Sequence, residues 1–328
     1  MPPMLAGMAI LSFLATFALL RLLLSRFGRL VLDRPNERSL HERPVPRTGG
    51  IPIVLVVAAS LAVGAAPLWL PLAVALALAA FSFVDDLRGM PAVPRLAAHL
   101  AASGVVAWYV LSPIDPLELV LITLGIAWIT NLYNFMDGSD GLAGGMALSG
   151  FGAYAFAAWQ AGNAPLALVS VVLAAAAAAF LVHNFHPARV FLGDVGAIPI
   201  GFLAGALGIV GWRDDVWPLW FPLLAFAPFI GDATVTLLRR LLRAERVWQA
   251  HRDHYYQRLV RMGLGHRGTA CVAYAAMLLC AVAALIGRSQ PPAVQAWIFI
   301  GATLALAALA AWVDLRWARF LRGTPRSA

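Results

Sequence analysis

The chain has 328 residues, 61% hydrophobic and only 12% charged, where soluble domains carry roughly 25%. A mean hydropathy of +0.80 excludes an ordinary soluble domain, and the ten-residue alternating segments of a β-barrel are absent. A net charge of +8 raises nucleic acid as a partner, but topology and contact with anionic membrane lipid explain it better.

Apolar runs long enough to approach the ~30 Å hydrocarbon core fall near 3–24, 49–65, 67–84, 96–112, 117–134, 141–160, 164–183, 197–212, 216–238, 268–287 and 293–313. The expectation is an all-α integral membrane protein of ten or eleven transmembrane helices, one polytopic unit over 1–328. The chain has no Lys, and 22 of its 24 Arg fall at 21–48, 88–95, 189, 239–267 and 316–326, all on one side of the predicted spans; Arg213 and Arg288 fall on the other. By the positive-inside rule the N-terminus lies outside and the C-terminus in the cytoplasm. The first run has no basic n-region or cleavage signature and reads as a retained span. Cys271 and Cys280 share one predicted helix, so neither a disulfide nor a metal site is expected.

The first inside loop, 33–52, holds His41 and Arg47. It reads as a basic topogenic loop, with Arg47 or His41 a candidate for phosphate. The third run ends at Asp85–Asp86. Adjacent carboxylates repel and suit a site where a cation or donor intervenes. His99 reads as an interhelical hydrogen bonder.

The densest polar stretch is Asn131–Gly141, NLYNFMDGSDG. A helix continued to Asp137 places Asn131, Asn134 and Asp137 on one face, before glycines turn the chain towards Asp140. Carboxylates near hydrocarbon are costly, so the stretch reads as the wall of a metal–phosphate site. The GxxxG spacings Gly141–Gly145 and Gly201–Gly205 predict close helix packing, as does the alanine run 174–179. In the loop 183–196, His183 and His186 are a weak metal pair and better suit a structural or phosphate-facing role; Asp194 between Gly193 and Gly196 suits a hard cation. Asp232, deep in the ninth run, needs a partner and suits either a structural or a site role. In the loop 239–267, RRLLRAERVWQA suits an interfacial helix. His251, His254 and Arg258 suit an anion, because the surrounding Arg oppose a metal.

These motifs together resemble the polyprenyl-phosphate N-acetylhexosamine-1-phosphate transferases (glycosyltransferase family 4), which start O-antigen, teichoic-acid and peptidoglycan lipid intermediates. The matching residues are Pro35 to Gly50 with Pro46-Arg47-x-Gly49-Gly50, Asp85–Asp86, Asn131-x-x-Asn134 with Asp137-Gly-x-Asp140-Gly-Leu, Gly193-Asp194-x-Gly196, Asp232, and the His loop before Arg258-Leu259. The resemblance implies transfer of a sugar 1-phosphate from a UDP-sugar to undecaprenyl phosphate at the cytoplasmic face of a bacterial inner membrane. It implies Mg²⁺, with Mn²⁺ a substitute, on Asn134 and Asp194. It also implies Asp85, Asp86, Asp137, Asp140 and His254 as catalytic residues, and Asn131, Arg47, His186, His251 and Arg258 as substrate contacts. A homodimer stays open.

Two departures from the family pattern stand out. Tyr255, Tyr256 and Gln257 follow His254 where many members carry a His triplet, and Arg88 stands where some have Lys. The HRDHYYQRL form resembles the subgroup that starts lipopolysaccharide O-chains with 6-deoxy N-acetylated sugars such as FucNAc or QuiNAc. The rival reading is a secondary transporter, which would place its carboxylates near the midplane on repeated broken helices.

Overall fold

The structure, a computed structural model, describes residues 3–27, 32–33, 44–246 and 251–323; His41 lies outside them. Thirteen α-helices appear among the described residues. They are α1 (Pro3–Phe27), α2 (Gly50–Ala59), α3 (Trp69–Arg88), α4 (Ala92–Leu111), α5 (Pro116–Phe135), α6 (Leu142–Gln160) and α7 (Ala164–Asn184). The remainder are α8 (Asp194–Arg213), α9 (Trp220–Ala225), α10 (Ala227–Leu242), α11 (Tyr255–Leu259), α12 (Gly265–Gly287) and α13 (Pro292–Gly323). A two-residue antiparallel ladder joins β1 (Leu32–Asp33) to β2 (Val45–Pro46).

Each apolar run has become helix, and seven helical stretches are long and apolar enough to cross a membrane. Several begin where the sequence signals a cap: Asp115 accepts from the Leu117 and Glu118 N–H groups, and Asn163 from the Leu166 N–H. Two runs differ from expectation. The run 49–65 gives only α2 and a tight turn over Ser60–Val63, about 20 Å of rise. The run 216–238 is broken at Phe226 into α9 and α10, because Pro228, at the start of α10, lacks an N–H and its ring crowds the turn before it. The expected interfacial helix at 239–250 is corrected over its described part: residues 239–242 are the last turn of α10, after which the chain turns through Ala244 at φ +57°; residues 247–250 lie outside the described residues.

Helix α8 is the most enclosed, with α3, α4 and α5 against it, while α7 lies between α1 and α6. The alanine run is buried there as expected: Ala176, Ala177 and Ala179 are at most 1% exposed. The GxxxG expectation is also met. A Cβ on Gly201 would lie 2.6 Å from the Tyr133 Cβ, and one on Gly205 3.2 Å from the Ile126 Cα, while Gly145 faces the Tyr274 ring. Gly201→Leu should therefore destabilise the protein by about 3 kcal/mol, the upper range for overpacking, read as a lower melting temperature in detergent.

The bundle has two distinct ends. Arg213 and Arg288 sit at one of them: Arg213 pairs with Asp214 at 2.6 Å, and Arg288 reaches the Val216 carbonyl and Gln160. The polar motifs gather at the other.

Candidate active site

The chain entering α2 pairs by backbone with the chain entering α8. Gly49 N–H donates to the Phe191 carbonyl at 2.9 Å, Gly50 N–H to Leu192 at 2.9 Å, and Phe191 N–H to Pro46 at 2.7 Å. Gly193 is left-handed at φ +72°, and a Cβ there would overlap the Arg47 carbonyl oxygen, so glycine is required.

Side chains converge on this seam. Arg47 Nη2 donates to Asp194 Oδ1 at 3.1 Å, and Arg47 Nη1 lies 3.9 Å from Asp86 Oδ1. Asp86 also accepts from the Val195 N–H at the start of α8. Asp85 accepts from the Met90 N–H at 2.6 Å and pairs with Arg95 Nε at 3.3 Å; Arg95 Nη2 reaches 4.0 Å from Asp194 Oδ2. Three carboxylates and two guanidiniums thus form one network. Arg side chains lie between the carboxylates and offset part of their mutual repulsion.

The turn from α5 to α6 lies at the same end. Helix α5 stops at Phe135, so the single face expected for Asn131, Asn134 and Asp137 is cut short. Asp137 sits past the helix, its N–H bonded to the Asn134 carbonyl at 3.2 Å. Asn131 also differs from expectation: its amide ties α5 to α4, with Oδ1 3.1 Å from His99 Nδ1 and Nδ2 donating to Ala127. His99 is the interhelical bonder expected. Asp140 is buried and accepts from the Ala188 N–H at 3.1 Å and from His186 Nδ1 at 2.7 Å. His186 thereby directs Nε2 away from Asp140, with 42% of its side chain exposed. His183 packs instead on Phe17 at 5.0 Å between ring centroids, so the two histidines do not form a metal pair.

The last loop is held by Asp232. Its Oδ1 accepts from the Tyr255 N–H at 2.9 Å and lies 3.1 Å from His254 Nδ1, and its Oδ2 accepts from the Tyr256 N–H at 3.0 Å. The residue thus takes the structural option, orienting the loop. Tyr256 Oη donates to the Phe135 carbonyl at 3.3 Å, docking the loop beside the Asp137 turn, where Gly138 leaves room for the phenol. His251 is pushed down to about 4, first by burial and then by His254 and Arg240. At neutral pH it therefore offers hydrogen bonds and no charge, which weakens its reading as an anion contact. Arg258 is turned to α13, where Nη1 pairs with Asp314 at 2.9 Å.

Arg95, His266 and Asp314 were missed in the sequence. Arg95 and His99 are the ionisable pair of α4, four residues apart on one face, a signal that was available. His266 Nδ1 lies 2.9 Å from Ser139 Oγ and 3.7 Å from Asp140 Oδ1. Among the described residues no three His, Cys, Asp or Glu gather as a metal cage. Oxygen donors of this kind suit Mg²⁺, which typically takes one or two carboxylates and completes its shell with water and substrate phosphates, and here the Asp194 oxygens face Arg47 and Arg95 instead.

Comparison with known proteins identifies the family of the chain. The family described as Glycosyl transferase family 4 matches residues 68–212. A decaprenyl-phosphate N-acetylglucosaminephosphotransferase of Mycolicibacterium smegmatis is 31% identical over 316 residues, covering 81% of this chain and 77% of that protein. A probable undecaprenyl-phosphate N-acetylglucosaminyl 1-phosphate transferase of Bacillus subtilis is 28% identical over 277 residues, covering 79% and 77%. A phospho-N-acetylmuramoyl-pentapeptide-transferase of Shouchella clausii is 30% identical over 216 residues, covering 56% and 66%. The chain belongs to glycosyl transferase family 4, among the polyprenyl-phosphate N-acetylhexosamine-1-phosphate transferases.

Proposed function

We propose that this protein transfers an N-acetylated sugar 1-phosphate from a UDP-sugar to undecaprenyl phosphate, releasing UMP, at the cytoplasmic face of a bacterial inner membrane. The observation that carries the reading is the convergence of Asp85, Asp86 and Asp194 with Arg47 and Arg95 at one end of an apolar bundle. The activities named for the relatives support it. In the reaction an oxygen of the lipid phosphate attacks the sugar-bearing phosphorus. The bond to the UMP oxygen breaks, and UMP leaves with the bonding pair. Because the nucleophile is already an anion, Asp85 and Asp86 need only position it or take a last proton. Arg47 and Arg95 can offer guanidinium N–H groups to phosphate oxygens. Asn134 and Asp194 would hold Mg²⁺ or Mn²⁺, which supplies charge neutralisation across the diphosphate. The loop of His251 and His254 would meet the sugar phosphate.

In this reading the apolar runs make ten or eleven crossings, and the Arg distribution puts the N-terminus outside. The resemblance of the HRDHYYQRL loop to the O-chain-initiating subgroup implies a 6-deoxy donor such as UDP-FucNAc or UDP-QuiNAc, with UDP-GlcNAc the other candidate. The product would be the first lipid-linked intermediate of O-antigen or another envelope polysaccharide. A transporter is not favoured, since the carboxylates gather at one end and Asp232 is committed to a loop. The test is UMP release by purified protein given undecaprenyl phosphate, Mg²⁺ and a panel of UDP-sugars. Release with at least one donor is expected; gradient-driven uptake into proteoliposomes without UMP would overturn the reading.

A further inference from the structure

Helix α13 runs 32 residues, about 48 Å at 1.5 Å per residue, and so outlasts the ~30 Å hydrocarbon core. Asp314 lies near its C-terminal end, the end shared with the acidic network. Its carboxylate draws together three elements. Arg239 of α10 binds it in a fork, Nη1 to Oδ1 at 2.8 Å and Nη2 to Oδ2 at 2.7 Å. Arg258 of α11 donates to Oδ1 at 2.9 Å, and Tyr255 Oη to Oδ2 at 3.2 Å. Both guanidiniums lie 5.4 Å from the centre of the Tyr255 ring, and Arg261 lies 4.8 Å from that of Trp317.

Helix α11 has five residues and runs through a π-helical turn, Val260–Leu264, towards α12, but Gly263 at φ +96° kinks that connection; so short a segment beyond a kink takes its place from what holds it. Asp232 fixes its N-terminal end, and with it His254. Its C-terminal half rests on Asp314. We propose that Asp314 is a positioning residue, which seats the His251–Arg258 loop against the turn bearing Asp137 and so governs binding of the nucleotide sugar. Asp314 touches no substrate in this scheme. It acts by neutralising Arg239 and Arg258 where they would otherwise repel each other and let α11 drift. The acidic pair Asp85–Asp86 stands on α3, outside this linkage, and binding of the lipid phosphate is expected to be indifferent to it.

The inference rests on the transferase reading, and the experiment separates the two. Full-length Asp314→Asn and Asp314→Glu are purified, and steady-state UMP release is measured against the UDP-sugar and undecaprenyl phosphate in turn. A small displacement of binding groups is expected to lower kcat/KM for the UDP-sugar about 10–100-fold in Asp314→Asn. KM for undecaprenyl phosphate should stay within about twofold, and Asp314→Glu should recover most of the loss. Trypsin cleavage after Arg258 and Arg261 should accelerate in Asp314→Asn, a readout that needs no activity. Wild-type protein that releases no UMP would sink the transferase reading while leaving the trypsin result to judge the seating of α11. Unchanged kinetics in Asp314→Asn, or loss spread equally over both substrates, would overturn the positioning role. Failure of both variants to fold would assign Asp314 to stability alone.

Discussion

Asp194→Ala is expected to lower UMP release by about 10²–10³-fold or more, the range for removing one preorganised electrostatic partner, while the protein stays folded. Asp194 opens α8, where the helix dipole favours its charge, and it anchors both Arg47 and Arg95. A purely structural ion pair would predict something different. Removing Asp194 and Arg47 together would then relieve the unpaired charge and recover function, since neighbouring sites are not additive. A role at the phosphates predicts that the double variant stays inactive. UMP release and melting temperature, measured across the wild type, both single variants and the double, decide between them. Unchanged turnover in Asp194→Ala would remove it from the site.

The sequence made the helices legible because each apolar run is governed by its own residues: the length needed to span lipid, and caps such as Asp115 and Asn163. The break between α9 and α10 is legible in Pro228, yet the hydropathy of the run 216–238 does not fall there, so periodicity and hydropathy alone read it as continuous. The acids were recognisable as costly groups at run ends, and Arg47 as a phosphate candidate. Their partners were not recognisable, because pairing is a long-range property: 147 positions separate Arg47 from Asp194, and 46 separate Asp140 from His186. Asn131 was misjudged for the same reason, its partner His99 being on another helix. Asp314 fell one residue beyond the run 293–313 and near Arg316, where a single acid looks like a solvated helix end. Only the approach of α10 and α11 gives it a task.

Gly50→Ala is expected to cost about 3 kcal/mol or more, at or above the top of the usual range for overpacking, and to abolish UMP release in whatever fraction folds. A Cβ on Gly50 would overlap the Gly196 Cα and lie 2.9 Å from the Leu192 carbonyl oxygen; one on Gly196 would lie 2.5 Å from the Gly50 Cα. These neighbours are backbone, so no flexible side chain can give way, and α2 must move off the start of α8. That movement breaks the Gly49–Phe191 and Gly50–Leu192 hydrogen bonds and carries Arg47 away from Asp86 and Asp194. Stability and activity therefore fall from one displacement. Gly7→Ala supplies the contrast: no atom lies within 4 Å of a Cβ there, and Ala is the better helix former by about 1 kcal/mol. It should leave melting temperature and UMP release at or slightly above wild type. Equal behaviour of the two variants in detergent melts would mean that the contact between α2 and α8 is looser than these distances require, and the seam would no longer explain why the acidic network sits where it does.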